Sequence, residues 1–284
     1  MSEQKYIFQE LIDPIELGVP KTSAYFKKND FDYFIKAADS RRGWQIKREI
    51  FFYKNIGPKL DLPKRIKLPD LVDFYTSDDF SYLVLRRIPE HFSLKFLEED
   101  YSKDFITISD TFFSIKQSKP TSIKEQEKLL SMYKLYKKVF DKIGISKESL
   151  EKNCAVCDFN SENVLTHNDL NGNNVLSDGE FIYVVDCERW QFWNKIYEIS
   201  RAANFSALHH SLKSDVLFPL ETSYLNHYYL RMNDVEKQLL HLHLIFDSAR
   251  RIYYYESKLK HDPFFKDVLD YSFELLNKYR YYLL

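Results

Sequence analysis

The apolar residues of this chain change their spacing at Pro89, and that change limits the fold more than any other feature. Before it they come in short aromatic and β-branched runs; after it they recur every three or four residues. Ser23 to Lys28 and Phe31 to Ala37 flank Asn29-Asp30, a two-residue hairpin signal, and Leu71 to Thr76 and Phe80 to Leu85 flank Asp78-Asp79 in the same way. Between the pairs, Ile46, Ile50 and Tyr53 space a helix over Gln45 to Asn55. The expected order is strand, strand, helix, strand, strand. Past Pro89, Ser122-x-x-Glu125 reads as a capping box leading into Leu129, Tyr133, Tyr136 and Phe140 at helical spacing. Beyond Asn194, Val235, Leu239, Leu242, Phe246, Ala249 and Tyr253 form a further seam. Between these helical stretches a β segment returns at Val164 to Thr166, Val175 to Ser177 and Phe181 to Val185, with Asp178-Gly179 as its turn. The pattern predicts an α+β fold: a β-rich N-terminal lobe over residues 1–89 and a mainly helical C-terminal lobe over residues 90–284.

Composition removes several function classes. Only six glycines occur, and their positions allow neither the dinucleotide-binding G-x-G-x-x-G nor the phosphate loop G-x-x-x-x-G-K-[ST]. A formal net charge of -1 gives no global basis for binding nucleic acid or an anionic membrane. No apolar run is long enough for a membrane span, and Met1 to Leu11 carries Glu and Gln where a signal peptide needs apolar residues. Cys154, Cys157 and Cys187 cannot build a disulfide framework, so a reducing, cytoplasmic setting is expected, with a monomer or homodimer as the assembly.

The residues that carry chemistry lie in the returning β segment. His167-Asn168-Asp169-Leu170-Asn171-Gly172-Asn173-Asn174, followed by Val184-Val185-Asp186, matches H-x-D-x-x-x-x-N with a strand-borne aspartate behind it. A hydroxyl that attacks a phosphoryl group needs a carboxylate within hydrogen-bond reach, which Asp169 offers at a strand end. A nucleotide triphosphate needs a divalent cation on oxygen ligands, and Asn174 and Asp186 supply an amide oxygen and a carboxylate. The competing reading is an Asn-rich polar turn with His167 in the core. Lys36, in Phe34-Ile35-Lys36-Ala37, interrupts an apolar strand much as the strand lysine of V-A-I-K does, and Glu49 on the following helix is its expected partner. Otherwise both are solvated surface charges.

These residues resemble the aminoglycoside phosphotransferase and choline kinase superfamily, whose members share the protein-kinase-like two-lobed fold. The resemblance implies ATP as phosphoryl donor, Mg²⁺ or Mn²⁺ as cofactor, and a hydroxylated small molecule as acceptor. It places His167 as the loop histidine, Asp169 as the base, Asn174 and Asp186 as metal ligands, and Leu85-Arg86-Arg87-Ile88-Pro89 as the segment whose backbone meets the adenine, with Arg87 and Ile88 at its centre. Thr22 and Ser23 stand in the nucleotide-covering loop, which holds one glycine where relatives often have more. Tyr197-Glu198-Ile199-Ser200 is similar to the family's helix start that buttresses the catalytic loop, with Glu198 where an Asp is usual. His-Asn-Asp-Leu and Asp186-x-Glu188 resemble choline and ethanolamine kinases in particular. The acceptor implied is therefore an amino alcohol, held by aromatic faces and acidic residues with Glu188 among the candidates. The alternatives are an aminoglycoside or other sugar, including a lipopolysaccharide-core sugar, and, in another class, a pseudokinase without turnover.

Other features carry less. Cys154-x-x-Cys157 has no second pair to complete a zinc site and reads as core. His241 and His243 are two apart on a helix and cannot chelate together, so surface or capping roles are expected. Lys134, Lys137 and Lys138 read as the wet face of their helix, and Tyr253-Tyr254-Tyr255 with Phe264-Phe265 as packing.

Overall fold

The computed structural model describes residues 19–28, 31–88, 91–93, 101–117, 122–157, 163–211, 219–259, 265–281 and 283. Contacts divide the chain into two compact units, Met1–Leu94 with Asn173–Trp190, and Lys95–Gly172 with Gln191–Leu284. A single cut at Pro89 misses the return of residues 173–190 to the first unit, and strand pairing explains it.

In the first unit, β1 (Lys21–Lys28), β2 (Phe31–Asp39), β4 (Leu71–Thr76) and β5 (Phe80–Arg86) form an antiparallel sheet in the order β1-β2-β5-β4. The predicted hairpins are present, although Asn29-Asp30 itself lies outside the described residues. Because β2 is an inner strand, Ile35, Lys36, Ala37 and Ala38 are all buried, and a charge among them must find a partner within the protein. Helix α1 (Gly43–Phe51) turns Ile46, Glu49 and Ile50 inward on one face. It continues as a π-helical turn, Phe52–Ile56, and then a 3₁₀ turn from Gly57. A Cβ on Gly57 would lie 2.7 Å from Leu68 Cδ1, so a larger residue there would have to displace the end of the Leu68 side chain.

A second sheet joins β3 (Ile66–Lys67) and β6 (Phe92–Ser93) to β9 (Val175–Ser177) and β10 (Ile182–Val184), in the order β3-β10-β9-β6. Ile182 pairs with Ile66 in parallel and with Ser177 antiparallel, which ties residues 173–190 to this unit. Gly179 sits at φ 95 in the turn, and Asp178 Oδ1 accepts from the N–H groups of Glu180 and Phe181. The hairpin loop spans residues 178–181, longer than two residues because Asp178 folds this turn with its own side chain.

The second unit is mainly helical: α2 (Ser102–Phe113), α3 (Ser122–Lys142), α4 (Lys147–Val156), α5 (Lys195–Ser211), α6 (Pro219–Tyr229), α7 (Asp234–Leu259) and α8 (Phe265–Arg280), with a small sheet β11-β8-β7 of Gln191–Asn194, Asn163–Thr166 and Lys116–Gln117. Leu129, Tyr133, Tyr136 and Phe140 on α3 are buried as their spacing predicts, and Lys134, Lys137 and Lys138 are exposed. The side chains of the proposed capping box at Ser122 and Glu125 lie outside the described ones. Phe140 stacks on Tyr133 at 5.5 Å and meets Phe246 of α7 edge-on at 5.4 Å.

Two expectations about α7 need correction. The seam fails at its ends, where Val235 and Tyr253 are exposed. Between them the helix is buried nearly all round from Leu239 to Ile252, including His241 and His243, because α3, α4, α5 and α8 all pack on it. The histidines are core residues, and burial lowers the His241 pKa to about 4. Cys154 and Cys187 are buried, Cys157 is half-buried, and none is in a disulfide. Among the described residues, no helix is long and apolar enough to cross a membrane.

Candidate active site

The first unit brings four of the predicted residues to one place. Lys36, on β2, puts Nζ 2.9 Å from both carboxylate oxygens of Glu49 on α1 and 2.6 Å from Oδ1 of Asp186, which follows β10. Glu49 is fully buried and Lys36 nearly so. Burial alone would lower the lysine pKa, but the carboxylates of Glu49 and Asp186 outweigh it and hold the ammonium protonated. Asn174 is buried one residue before β9, and its carbonyl accepts from the N–H of Val185 at 2.9 Å. The hairpin register, Val175 opposite Val184, thus sets Asn174 and Asp186 at the same end of the ladder.

Asp186 has φ 61 and ψ 45, in the left-handed region. Among the described residues only one other non-glycine residue has positive φ, and it is Asn168. Strained backbone of this kind persists where the surroundings enforce it; one instance falls at Asp186, beside Lys36 in the first unit, and the other at Asn168, next to Asp169 in the second.

A cavity of 680 Å³ opens beside this cluster, lined by Lys36 and Asp186 together with Thr22, Ser23, Arg87 and Ile88. All the residues expected to touch nucleotide, apart from buried Glu49, therefore line one space. The backbone of Arg87 departs from expectation: its N–H donates to the carbonyl of Asp32 at 2.9 Å, and its guanidinium lies over the Tyr25 ring. That donor is committed to holding the strand end.

In the second unit, β8 leads into the segment that carries the expected catalytic residues. His167 is buried against Phe112, with ring centroids 6.0 Å apart. Asp169 is partly exposed, accepts from Arg201 Nη2 at 3.1 Å through Oδ1, and its carbonyl accepts from Asn171 Nδ2 at 2.8 Å. Arg201 is buried on α5 and fixes the orientation of the Asp169 carboxylate. One turn earlier on the same helix, Glu198 reaches back so that Oε2 accepts from the N–H of Asn168 at 2.6 Å. The longer arm of Glu198, compared with Asp, reaches the loop.

Burial raises the Glu198 pKa from 4.5 to about 7, against the opposing pull of Arg201 and the Asn168 N–H. The folded value exceeds the unfolded one, so the native state holds this proton more tightly and stability falls as pH rises from about 4.5 through about 7. Glu198→Gln keeps an oxygen for the Asn168 N–H and removes the titration. Its melting temperature should gain on wild type across that window and then run parallel above it. Parallel curves throughout the window would show that Glu198 is ionised at all these pH values.

No protein-family model matches the chain, and no curated protein matches it in sequence. Solved structures do. A thermostable mutant of aminoglycoside phosphotransferase APH(4)-Ia, in ternary complex with ADP and hygromycin B, is 14% identical with a TM-score of 0.59 over 93% of this chain and 91% of that one. Choline kinase LicA from Streptococcus pneumoniae is 16% identical with a TM-score of 0.56 over 96% and 98%. Plasmodium vivax ethanolamine kinase is 17% identical with a TM-score of 0.50 over 92% and 80%. The chain has the aminoglycoside phosphotransferase and choline kinase fold.

Within this phosphotransferase fold, two charged residues that the motif does not name stand at the centre of the clusters. Arg201 lies three residues after Glu198, on the same helix face, so Glu198 was the signal that could have found it. Lys21 forms an ion pair with Glu188, and the carboxylates of Glu188, Glu49 and Asp186 lie within 4.8 Å of one another. Glu188, one of the acidic residues that the sequence offered as candidates for holding a cationic acceptor, thus sits with the lysines of the first unit and has a partner there. Three carboxylates against the ammonium groups of Lys21 and Lys36 leave one negative charge uncompensated, a donor set of hard oxygens that suits a divalent cation.

Proposed function

We propose that this protein is an ATP-dependent phosphotransferase that moves a γ-phosphoryl group to a hydroxyl of a small molecule. The observation that carries the reading is the clamp on Lys36, a buried strand lysine held between a helix glutamate and the aspartate that follows the hairpin. A lysine needs such a reason to be buried in an inner strand, and kinase chemistry supplies one. When bound, ATP with Mg²⁺ or Mn²⁺ supplies the phosphoryl group and neutralises the charge that develops on it.

Lys36 meets the phosphates, kept extended and charged by Glu49. Asn174 and Asp186 are the metal ligands, and the surplus negative charge around them supports that role. Thr22 and Ser23 face the phosphates from β1, and Ile88 meets the base beside the committed Arg87. In the second unit Asp169 accepts the proton of the acceptor hydroxyl at a carboxylate oxygen, oriented by Arg201. His167 and Glu198 hold the loop that carries it.

For the acceptor, an amino alcohol such as choline or ethanolamine is the first reading, resting on the wording of the catalytic motif. Structures of similar fold include a choline kinase and a phosphotransferase bound to hygromycin B, so an aminoglycoside stands as the alternative. ADP release should be measured with choline, ethanolamine, aminoglycosides and neutral sugars, each with and without Mg²⁺. Turnover should require the metal, favour cationic acceptors and disappear in Asp186→Ala. Metal-independent turnover, or wild-type turnover by Asp186→Ala, would remove the ligand assignment, and preference for a neutral sugar would remove the acceptor class. Nucleotide binding without turnover on any acceptor would return the pseudokinase alternative.

A further inference from the structure

We infer that Lys21 is a second phosphate-binding cation of the nucleotide cavity, and that Glu188 competes with phosphate for it. The inference rests on the nucleotide reading of the cavity and adds a residue to it.

Lys21 opens β1, opposite Ala38, two residues ahead of Ser23, which pairs with Lys36. It lines the same cavity as Thr22, Ser23, Lys36 and Asp186. Its side chain is 29% exposed, so its ammonium is reachable from the cavity, while Lys36 at 8% is held by its carboxylates. Among the described residues, the Lys21 ammonium is anchored by Glu188, one of the three clustered carboxylates.

Phosphate-covering loops usually bind their ligand through backbone amides that glycines leave accessible. The segment from Gly18 to Tyr25 has one glycine, and from Lys21 onward it is not a loop but strand β1 paired with β2, so few amides can approach a polyphosphate closely. An ammonium with three donors at the head of the strand provides the missing positive charge by another route. Glu188 holds that ammonium at the edge of the carboxylate cluster. A phosphate oxygen and a metal ion relieve the pair together, one taking the lysine and the other the glutamate. A purely structural ion pair at a part-exposed position would contribute little and would be indifferent to the length of a phosphate chain.

The phosphate chain therefore supplies the test. Adenosine, AMP, ADP and ATP are titrated calorimetrically against wild type, Lys21→Met, Lys21→Arg and Glu188→Gln, with EDTA and with Mg²⁺. Loss of a charge-assisted contact should weaken ADP and ATP binding to Lys21→Met by about 10- to 100-fold and leave adenosine unchanged. Lys21→Arg should recover most of that loss. Glu188→Gln, which removes the competitor, should strengthen ATP binding in EDTA and blunt the gain from Mg²⁺. Equal ATP affinity in wild type and Lys21→Met would overturn the inference and leave the kinase reading intact. If Lys21→Met loses adenosine too, the fold is damaged and Lys21→Arg decides, since failure of arginine to bind ATP more tightly than methionine does would overturn the inference. Wild-type protein that binds neither adenosine nor ATP would overturn the nucleotide reading and the inference with it.

Discussion

Replacing Lys36 by methionine should both destabilise the protein and abolish productive nucleotide engagement, and the two effects should separate in a double variant. Methionine fills much the same volume, so little is lost in packing. The change strands Glu49, fully buried and beside the carboxylates of Asp186 and Glu188. Removing one partner of a buried pair typically costs about 3–5 kcal/mol. In a domain of this size that lowers the melting temperature by on the order of 10 °C. Adding Glu49→Gln removes the stranded charge and should recover most of that loss. Turnover should stay down by about 10²–10³-fold in both variants, because the cation on the phosphates is still missing. Thermal melts beside steady-state kinetics check this, and an active Lys36→Met enzyme would place the phosphate-binding strand elsewhere.

Asp169→Asn should act on a different step. The substitution keeps the shape of the side chain and an oxygen for Arg201, and removes the charge that accepts the proton. A general base contributes typically about 10²–10⁴ in rate, so kcat should fall by that factor. Binding of ATP and Mg²⁺ should barely change, because the lysines and oxygen ligands of the first unit are untouched. Stability should fall only modestly, since Arg201 loses an ionic partner but keeps Asp247 in its electrostatic surroundings. Near-normal kcat in Asp169→Asn would remove the base from the mechanism.

The parts of this architecture legible in the sequence were those decided locally. The hairpins of β1 with β2 and of β4 with β5 follow from alternation and turn residues, and α3 follows from an apolar seam whose wet side carries lysines. Of the strands of two to four residues, β8, β9 and β10 were legible from their apolar runs and the Asp178-Gly179 turn, whereas β3, β6, β7 and β11 were not. Ile66–Lys67 is a strand only because Ile182–Tyr183 comes to lie beside it, and no local pattern announces a partner so far along the chain. The burial of His241 and His243 escaped for a related reason: periodicity identifies one apolar stripe, but how many helices enclose α7 is a tertiary fact. Lys36, Glu49, Asp169, Asn174 and Asp186 could be singled out as candidates because kinase chemistry fixes their type and order, and the structure brings Lys36, Glu49 and Asp186 together within the first unit. Lys21 was not, since a lysine at a strand end looks like any solvated charge until Glu188, distant in sequence, is placed against it. Nor does sequence register that Asn168 and Asp186 adopt left-handed backbone, although asparagine and aspartate are the residues that tolerate it best.

The discontinuity of the first unit sets the order in which its parts become available during synthesis. Lys36 and Glu49 emerge from the ribosome early, while Asp186 and the β9–β10 hairpin follow only after residues 95–172 have been made. Until then β3 lacks its partner strand, and the ammonium of Lys36 has one of its two carboxylates. The nascent chain therefore cannot complete the cavity lined by Lys36, Leu176 and Asp186 before the segment carrying His167 and Asp169 already exists, because that segment precedes the hairpin. A product truncated before residue 182 would leave Ile66–Lys67 without its partner strand and expose that sheet edge.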